Sequence, residues 1–287
     1  MTAAVILCAD DYALTEGVSR GIEELASAER LSATSAMVTT RHWPAHSARL
    51  KEVRGKIAVG LHLNLTLGKP LGAMPWLCPT GSFPTLPAIL RASFARHIPR
   101  DEIAAEFSRQ FDAFEQHMGC RPDFIDGHQH VHALPGVRDA ALGVLQARHA
   151  ETRTLVRDPG DNPPAILGRG ASVKKALILA TFARGFGDAV RAAGFVTNTS
   201  FSGVSAFDEA KSYRAELDRF FTKASVRHLV MCHPGHVDDE LPMLDPVVGR
   251  RAQEFDVLMR HEQLPSLIWH PSRGPGDRID WPGLADG

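Results

Sequence analysis

The 287-residue sequence has few cysteines and no CxxC pair. Its four cysteines are Cys8, Cys78, Cys120 and Cys232, and they lie far apart in the chain. The first and last fall in apolar runs of strand length, where a free thiol behaves as a small core residue. This spacing argues against a disulfide framework and against a structural zinc site built on sulfur.

Long apolar runs and an excess of charge of one sign are also missing. No stretch approaches the length that spans a bilayer, and no basic segment with a long apolar stretch and a cleavage site opens the chain, so we expect a cytoplasmic protein without a transmembrane segment. The net charge is −1, with acids and bases mixed along the chain. Nucleic-acid-binding proteins normally show a basic face, so we expect no nucleic-acid partner. Neither GxGxxG nor GxxxxGK[ST] follows the first strand, which removes the main support for nucleotide binding.

Short β-like runs alternate with helical patterns along the chain, which favours a mainly parallel sheet. With 44% hydrophobic residues the protein can bury a sizeable core. No repeat, low-complexity tract or linker divides it. We therefore predict one α/β domain over residues 1–287, a (β/α) barrel of about seven strands, because barrels of this length commonly form a single unit.

The individual elements follow from apolar periodicity. The predicted strands are residues 3–9, 33–38, 57–65, 124–126, 154–156, 195–197, 227–231 and 266–269. The predicted helices are residues 16–28 with Thr15 as N-cap, then 43–53, 101–118, 137–148, 173–193, 209–223 and 246–260. Residues 66–87 are rich in proline and glycine and have little periodicity, so we predict a long apolar loop insertion around residues 66–90.

Polar residues cluster after four of the predicted strands. In a parallel barrel these strand ends lie on one rim, where active sites form. Scattered surface histidines would not collect at strand ends four times. The clusters are Asp10–Asp11, His62 with Asn64, residues 126–132 (DGHQHVH) and residues 233–236 (HPGH).

Each cluster also has an ordinary structural explanation. Two adjacent acids often form a turn or cap a helix, and a lone histidine in an apolar strand is usually a hydrogen-bonded core residue. Pro-Gly in HPGH is a turn dipeptide. For the alternating His128, His130 and His132, metal binding is the favoured interpretation. The joint placement of the clusters favours an active site.

These residue types indicate hydrolysis of an amide. Two neutral imidazoles and one carboxylate form a ligand set for Zn²⁺ or another divalent ion, which lowers the pKa of water from about 15.7 toward ~7. A second carboxylate can take the proton from that water. A histidine across the site can protonate the leaving group or bind the oxyanion. The pair Asp10–Asp11 can supply one ligand and one base.

Four segments resemble the signature blocks of the YdjC-like carbohydrate deacetylases, the ChbG/HpnK group. They occur in the order found in that family and span residues 9–236. The resemblance implies a deacetylase-type (β/α) barrel that uses a divalent metal to remove an acetyl group from an N-acetylated amino sugar. The segments are residues 9–22 (ADDYALTEGVSRGI), 59–71 (VGLHLNLTLGKPL), 124–132 (FIDGHQHVH) and 230–236 (VMCHPGH).

The resemblance also implies roles for individual residues. Asp10 becomes the general base, and Asp11, His62 and His128 become the metal ligands. His233 becomes the catalytic acid or a hydrogen-bond donor to the transition state. The expected metal is one divalent ion, Zn²⁺ first and Mg²⁺ as the alternative.

Other polar residues of the same segments are assigned supporting roles. Asp126 and His130 are expected to orient the ligands. His132 occupies the position where a related HxxxH motif places a further ligand, so both ligation and support stay open for it. Asn64, His236 and Trp76 are expected to support the site or contact the substrate.

The family's activities suggest two kinds of substrate, soluble chitooligosaccharides or a glucosaminyl lipid of the hopanoid type. Residues 73–90 and 176–186 are unusually apolar. They could be ordinary core packing plus a lid, or a groove for a lipid-linked sugar. Peripheral membrane contact is expected only for a glycolipid substrate, and the oligomeric state is open, a homodimer being one option.

Two rival functions remain. A different metal-dependent amidohydrolase typically has an HxH pair after its first strand, whereas this first strand leads into two acids. A non-catalytic sugar- or metal-binding barrel would leave Asp10 without a role.

Overall fold

The computed structural model describes residues 5–149, 154–274, 277 and 279–283. Within them, seven parallel strands form one curled sheet in the order β5-β4-β3-β2-β1-β7-β6. The strands are β1 (Ile6–Tyr12), β2 (Ala33–Ala36), β3 (Ala58–Leu63), β4 (Phe124–Gly127), β5 (Leu155–Val156), β6 (Ser200–Ser202) and β7 (His228–Cys232).

Helices flank this sheet, as expected where parallel strands are joined by crossovers. A short 3₁₀ segment, His128–Ala133, follows β4. None of the described helices is both long and apolar enough to cross a membrane. The helices are α1 (Glu16–Ser27), α2 (Trp43–Val53), α3 (Leu86–Phe94), α4 (Arg100–Met118), α5 (Val137–His149), α6 (Pro163–Arg169), α7 (Val173–Phe182), α8 (Phe186–Ala192), α9 (Tyr213–Phe220), α10 (Leu241–Leu244), α11 (Gly249–Arg260) and α12 (Leu264–Leu267).

One stretch of chain links the two edges of the curled sheet. Val196 forms a parallel bridge with Leu155 of β5, and the following β6 pairs with β7. Residues 196–202 therefore contact the outer strand β5 at one end and form the other outer strand, β6, at the other, and the predicted deacetylase-type barrel of about seven strands is confirmed.

The interior strand β1 carries two of the predicted site residues within it, not after it. All seven of its residues are buried, as expected for a strand covered on both faces. The pairing register with β2 shifts between Ala9 and Tyr12, and Asp11 has a positive φ of 68°. Such an irregularity redirects a side chain without ending the strand. The expected start of the strand at residues 3–4 lies outside the described residues.

Two predicted elements are wrong because a glycine or a proline changes the local structure. The helix predicted over residues 173–193 is broken into α7 and α8, and Gly185 between them has a φ of 75°, a conformation that suits glycine. The loop predicted to reach residue 90 instead ends where α3 begins. Pro87 lies in the first turn of that helix, where proline is tolerated because no intrahelical acceptor is needed there.

Two predicted strands reduce to single bridges. In residues 195–197 only Val196 pairs with another strand, and β6 forms a few residues later. In residues 266–269 only Ile268 pairs, with Val5, because the preceding residues form the short helix α12 with proline in its first turn. The helix α6 was not predicted. By contrast, α2 has the predicted bounds, and Thr15 caps α1 by accepting a hydrogen bond from the backbone of Val18 at 3.3 Å.

Candidate active site

The carboxyl ends of β1, β3, β4 and β7 surround one end of a cavity of about 480 Å³. Parallel strands bring residues that are distant in sequence to the same rim. The structure therefore brings together all five residues that the sequence assigned to catalysis and metal binding. They are Asp10, Asp11, His62, His128 and His233.

Three of these residues form a compact group that could hold a metal ion. Oδ1 of Asp11 lies 3.0 Å from Nδ1 of His128 and 3.3 Å from Nε2 of His62. One donor atom from each residue lies within 4.8 Å of the others, and all three side chains are buried. Two imidazoles and one carboxylate are the donors that zinc and similar divalent ions take in open catalytic sites.

A second carboxylate fixes the orientation of His62. Its Nδ1 lies 2.6 Å from Oδ1 of Asp126 and 3.0 Å from the hydroxyl of Ser35, so Nε2 faces Asp11. This carboxylate–histidine arrangement is usual behind metal ligands. Burial lowers the pKa of His62, but the carboxylates of Asp126, Asp11 and Asp10 together outweigh it and the pKa rises to about 10. The position favours positive charge, as a cation site must.

Asp11 is held from its other side by Arg251, which was not predicted. One guanidinium nitrogen lies 2.6 Å from Oδ2 of Asp11 and 2.6 Å from Oδ2 of Asp245. Burial raises the pKa of Asp11, but the charges of Arg251 and His128 lower it well below its ordinary value. Asp11 therefore stays ionised, with Oδ2 engaged by arginine and Oδ1 facing the two histidines.

Asp10 is held by a second buried arginine that was not predicted, Arg157. The two side chains form two hydrogen bonds of 2.7 and 2.6 Å, and the same guanidinium contacts Asp126 and Cys8. Burial raises the pKa of Asp10, but Arg157 lowers it to about 2. A second possible donor group, Cys8 with Asp10 and Asp126, already has this guanidinium as its counterion and is a poor cation site.

His233 lines the cavity and has an unpaired ring nitrogen. Its backbone N–H donates to Oε2 of Glu254 at 2.6 Å, and its ring packs edge-on against Phe207 at 5.2 Å. Its Nδ1 is buried and has no hydrogen-bond partner among the described residues. Burial lowers the pKa of His233. A neutral imidazole with a free ring nitrogen is suited to bind a substrate atom.

The two remaining histidines after β4 differ in placement. His130 has a positive φ of 59° and lines the cavity, with its ring against Phe201. Nε2 of His132 lies 2.8 Å from the carbonyl oxygen of Arg157, and burial lowers the pKa of His132 to about 4. Among the described residues His132 is not part of the Asp11 donor group, so the structure favours a supporting role.

Three other predicted residues lie away from the cavity. Asn64 is buried and stabilises the loop after β3, where its side-chain oxygen accepts hydrogen bonds from the backbones of Thr66 and Leu67. His236 pairs with Glu24 at 3.0 Å. Trp76 is 84% exposed and does not line the cavity.

The rest of the cavity is mostly apolar and is lined in large part by α3 and α7, although Lys175 of α7 also lines it. It includes parts of both stretches that the sequence singled out, whereas Met74 and Phe83 of the first stretch are buried in the core. The apolar lining includes Leu86, Leu90, Leu134, Ile178, Leu179 and Phe182. The polar, buried site therefore opens into an apolar part of the same cavity.

Comparison with known proteins decides the family. The family model for YdjC-like proteins matches residues 4–267. The chain belongs to the YdjC-like family. A chitooligosaccharide deacetylase from Klebsiella pneumoniae is 28% identical over 258 residues, which are 90% of this chain and 91% of that protein. One from Enterobacter sp. (strain 638) is 36% identical over 137 residues, 48% of this chain and 53% of that protein, so the match spans about half of that relative.

A solved structure supports the fold of this YdjC-like protein. A crystal structure from Enterococcus faecalis V583, described as a cellobiose-phosphate cleavage protein, superposes with a TM-score of 0.67. It covers 94% of this chain and 97% of the other at 21% sequence identity. At that identity the likeness concerns the fold alone.

Proposed function

We propose that this YdjC-like protein is a metal-dependent hydrolase that removes the N-acetyl group from an N-acetylated amino sugar. The observation that carries the proposal is the buried group of Asp11, His62 and His128 beside His233 in one cavity. The names of the relatives, chitooligosaccharide and carbohydrate deacetylase, support the same reaction class.

Asp11, His62 and His128 would hold one divalent ion, and their donor set fits Zn²⁺ best, with Mg²⁺ as the alternative. Such an ion supplies a Lewis acid that polarises the amide carbonyl and makes water more acidic. The protein contributes the orientation of the donors, since Asp126 directs His62 and Arg251 directs Asp11.

Asp10 is the proposed base, and Arg157 controls its strength. The contact with Arg157 keeps Asp10 ionised, so it can accept a proton from water, but the same contact reduces its basicity. Because burial keeps His233 neutral, the geometry supports donation of one hydrogen bond to the developing oxyanion more than full protonation of the leaving nitrogen.

Acetate release by the metal-loaded protein tests this proposal on a panel of acetylated amino sugars. Asp10→Asn is expected to lower turnover by roughly 10²–10⁴-fold while metal binding persists. Asp161→Asn is a matched control, because it breaks another buried aspartate–arginine pair outside this cavity. Full activity of Asp10→Asn would reject the base assignment. Metal uptake without acetate release from any sugar would instead support the non-catalytic barrel.

The apolar half of the cavity favours a lipid-linked amino sugar, such as an N-acetylglucosaminyl hopanoid, over a soluble chitooligosaccharide. A chain of sugars offers hydroxyl groups that Leu90, Ile178 and Phe182 cannot satisfy, whereas a hydrocarbon fits them. The relatives' names favour the soluble substrate. Turnover of N-acetylglucosaminyl lipid is therefore compared with that of acetylated chitobiose. We expect Ile178→Glu to reduce kcat/KM for the lipid more than for chitobiose, and a clear wild-type preference for chitobiose would reject the lipid version.

A further inference from the structure

Helix α7 is apolar, yet none of its ten residues is fully buried. Its sequence is VKKALILATF, and Ile178 on it is 45% exposed. Phe94 at the end of α3 is 51% exposed and packs against Phe182 of α7 at a ring distance of 5.3 Å. The walls of the apolar half-cavity thus continue outward into an apolar surface that no described residue covers.

Basic residues outnumber acidic ones along both walls of this apolar surface, although Asp101, Glu102 and Asp188 follow directly after them. Residues 86–100, which contain α3, include three arginines and no acid. Residues 171–187, which contain α7, include two lysines and one arginine and no acid. The two walls therefore carry six cationic residues in a chain whose net charge is −1.

Most of these cations are not neutralised within the protein. Arg100 pairs with Asp139 at 3.0 Å, and Arg138 also approaches that carboxylate. Lys175 lies over the ring of Phe207 and donates to a backbone carbonyl. Within the described residues the remaining four form no ion pair, and they are Arg91, Arg96, Lys174 and Arg184.

The cations lie beside the exposed apolar side chains. Arg96 follows Phe94 by two residues and Arg184 follows Phe182 by two, so both exposed arginines are close in sequence to the phenylalanine contact. Lys174 lies at the opposite end of α7. Apolar side chains surrounded by basic ones suit a bilayer interface. The apolar side chains enter the boundary of the acyl chains, and the basic side chains bind the anionic headgroups electrostatically.

We propose that the α3–α7 surface, defined by Arg91, Phe94, Arg96, Lys174, Ile178 and Arg184, docks on an anionic lipid bilayer. Docking would place the apolar half-cavity next to the membrane, so that a lipid-linked sugar could enter without its hydrocarbon crossing water. This consequence for the substrate rests on the proposed function. The docking itself does not require turnover and can be measured without it.

The test is co-sedimentation with vesicles of phosphatidylcholine mixed with phosphatidylglycerol, compared with phosphatidylcholine alone. The wild-type protein is expected to bind the anionic vesicles, and added salt should weaken binding because it screens the arginines and lysines. Each neutralised cation should lower the partition coefficient by roughly fivefold. The triple variant Phe94→Ser/Arg96→Gln/Arg184→Gln should therefore lose at least about 25-fold.

A matched triple variant controls for charge and hydrophobicity. Lys51→Gln/Arg121→Gln/Val226→Ser removes two exposed cations and one exposed apolar side chain elsewhere, and it should bind like the wild type. Both triple variants should retain turnover of acetylated chitobiose if the proposed function holds, which separates folding from docking. Absence of wild-type binding, or equal losses in both variants, would overturn the docking proposal and leave the deacetylase proposal standing. A third result would also overturn the docking proposal: the wild-type protein is a dimer that binds no vesicles, and the Phe94 variant is a monomer. The surface would then join two copies of the chain.

Discussion

Replacing Asp126 with Asn should weaken metal binding although Asp126 is not a ligand. Its Oδ1 lies 2.6 Å from Nδ1 of His62 and directs the opposite ring nitrogen toward Asp11. Asparagine keeps the shape but loses the charge that raises the pKa of His62. Removal of such a supporting carboxylate typically costs roughly 10–100-fold in affinity, or about 1.4–2.8 kcal/mol. Isothermal titration of Zn²⁺ into chelator-treated protein measures the change directly.

Asp123→Asn provides the matched control. Asp123 also pairs with arginine, Arg273 at 2.8 Å, but it precedes β4 at the other end of the barrel and does not contact His62. Its loss should leave Zn²⁺ affinity unchanged even if the protein becomes less stable. Wild-type affinity in Asp126→Asn, or an equal loss in Asp123→Asn, would refute the reasoning that Asp126 organises the site.

Three further predictions concern other parts of the molecule. His233→Gln should lower kcat on an acetylated sugar by roughly 10²–10³-fold with unchanged metal affinity, and a parallel loss of metal binding would instead make His233 a ligand. Gly60→Ala should lower the unfolding free energy by about 1–3 kcal/mol in chemical denaturation, because its Cβ would lie 2.5 Å from the ring of Phe124. Gly143→Ala in α5 is the control and should stabilise the protein, because its Cβ would meet nothing within 4 Å. Burial lowers the pKa of His228 from 6.5 to about 4 in the folded protein. The contribution of His228 to the free energy of unfolding is therefore complete above pH 6.5. About 3 kcal/mol of it is lost as the pH falls toward 4, because the unfolded chain takes up the proton first. His228→Gln should therefore flatten the pH dependence of unfolding over that range, and an unchanged slope would contradict this assignment.

The candidate metal-binding group could be predicted from sequence because parallel strands impose its geometry. Once residues 6–12, 58–63 and 124–127 are parallel strands of one curled sheet, polar residues at their carboxyl ends lie on the same rim. The counterions could not be predicted. Arg157 follows a two-residue strand and Arg251 lies within an ordinary helical pattern, so neither stands out among the arginines of the chain.

The errors in secondary structure have local causes. Residues 266–269 are apolar and β-like, but helical turn formation at the preceding proline leaves only Ile268 to pair. Residues 173–193 keep a helical pattern across Gly185, whose backbone conformation ends the first helix. Periodicity alone cannot detect either interruption, since both depend on single residues that break the pattern.

The central claim is that one cation binds between Asp11, His62 and His128. Crystals soaked in Zn²⁺ and measured at its absorption edge test this claim most directly, because anomalous scattering locates the ion independently of activity. The account predicts a single strong peak among these three side chains. A peak instead beside Cys8 and Asp10, or none near His62, would contradict it.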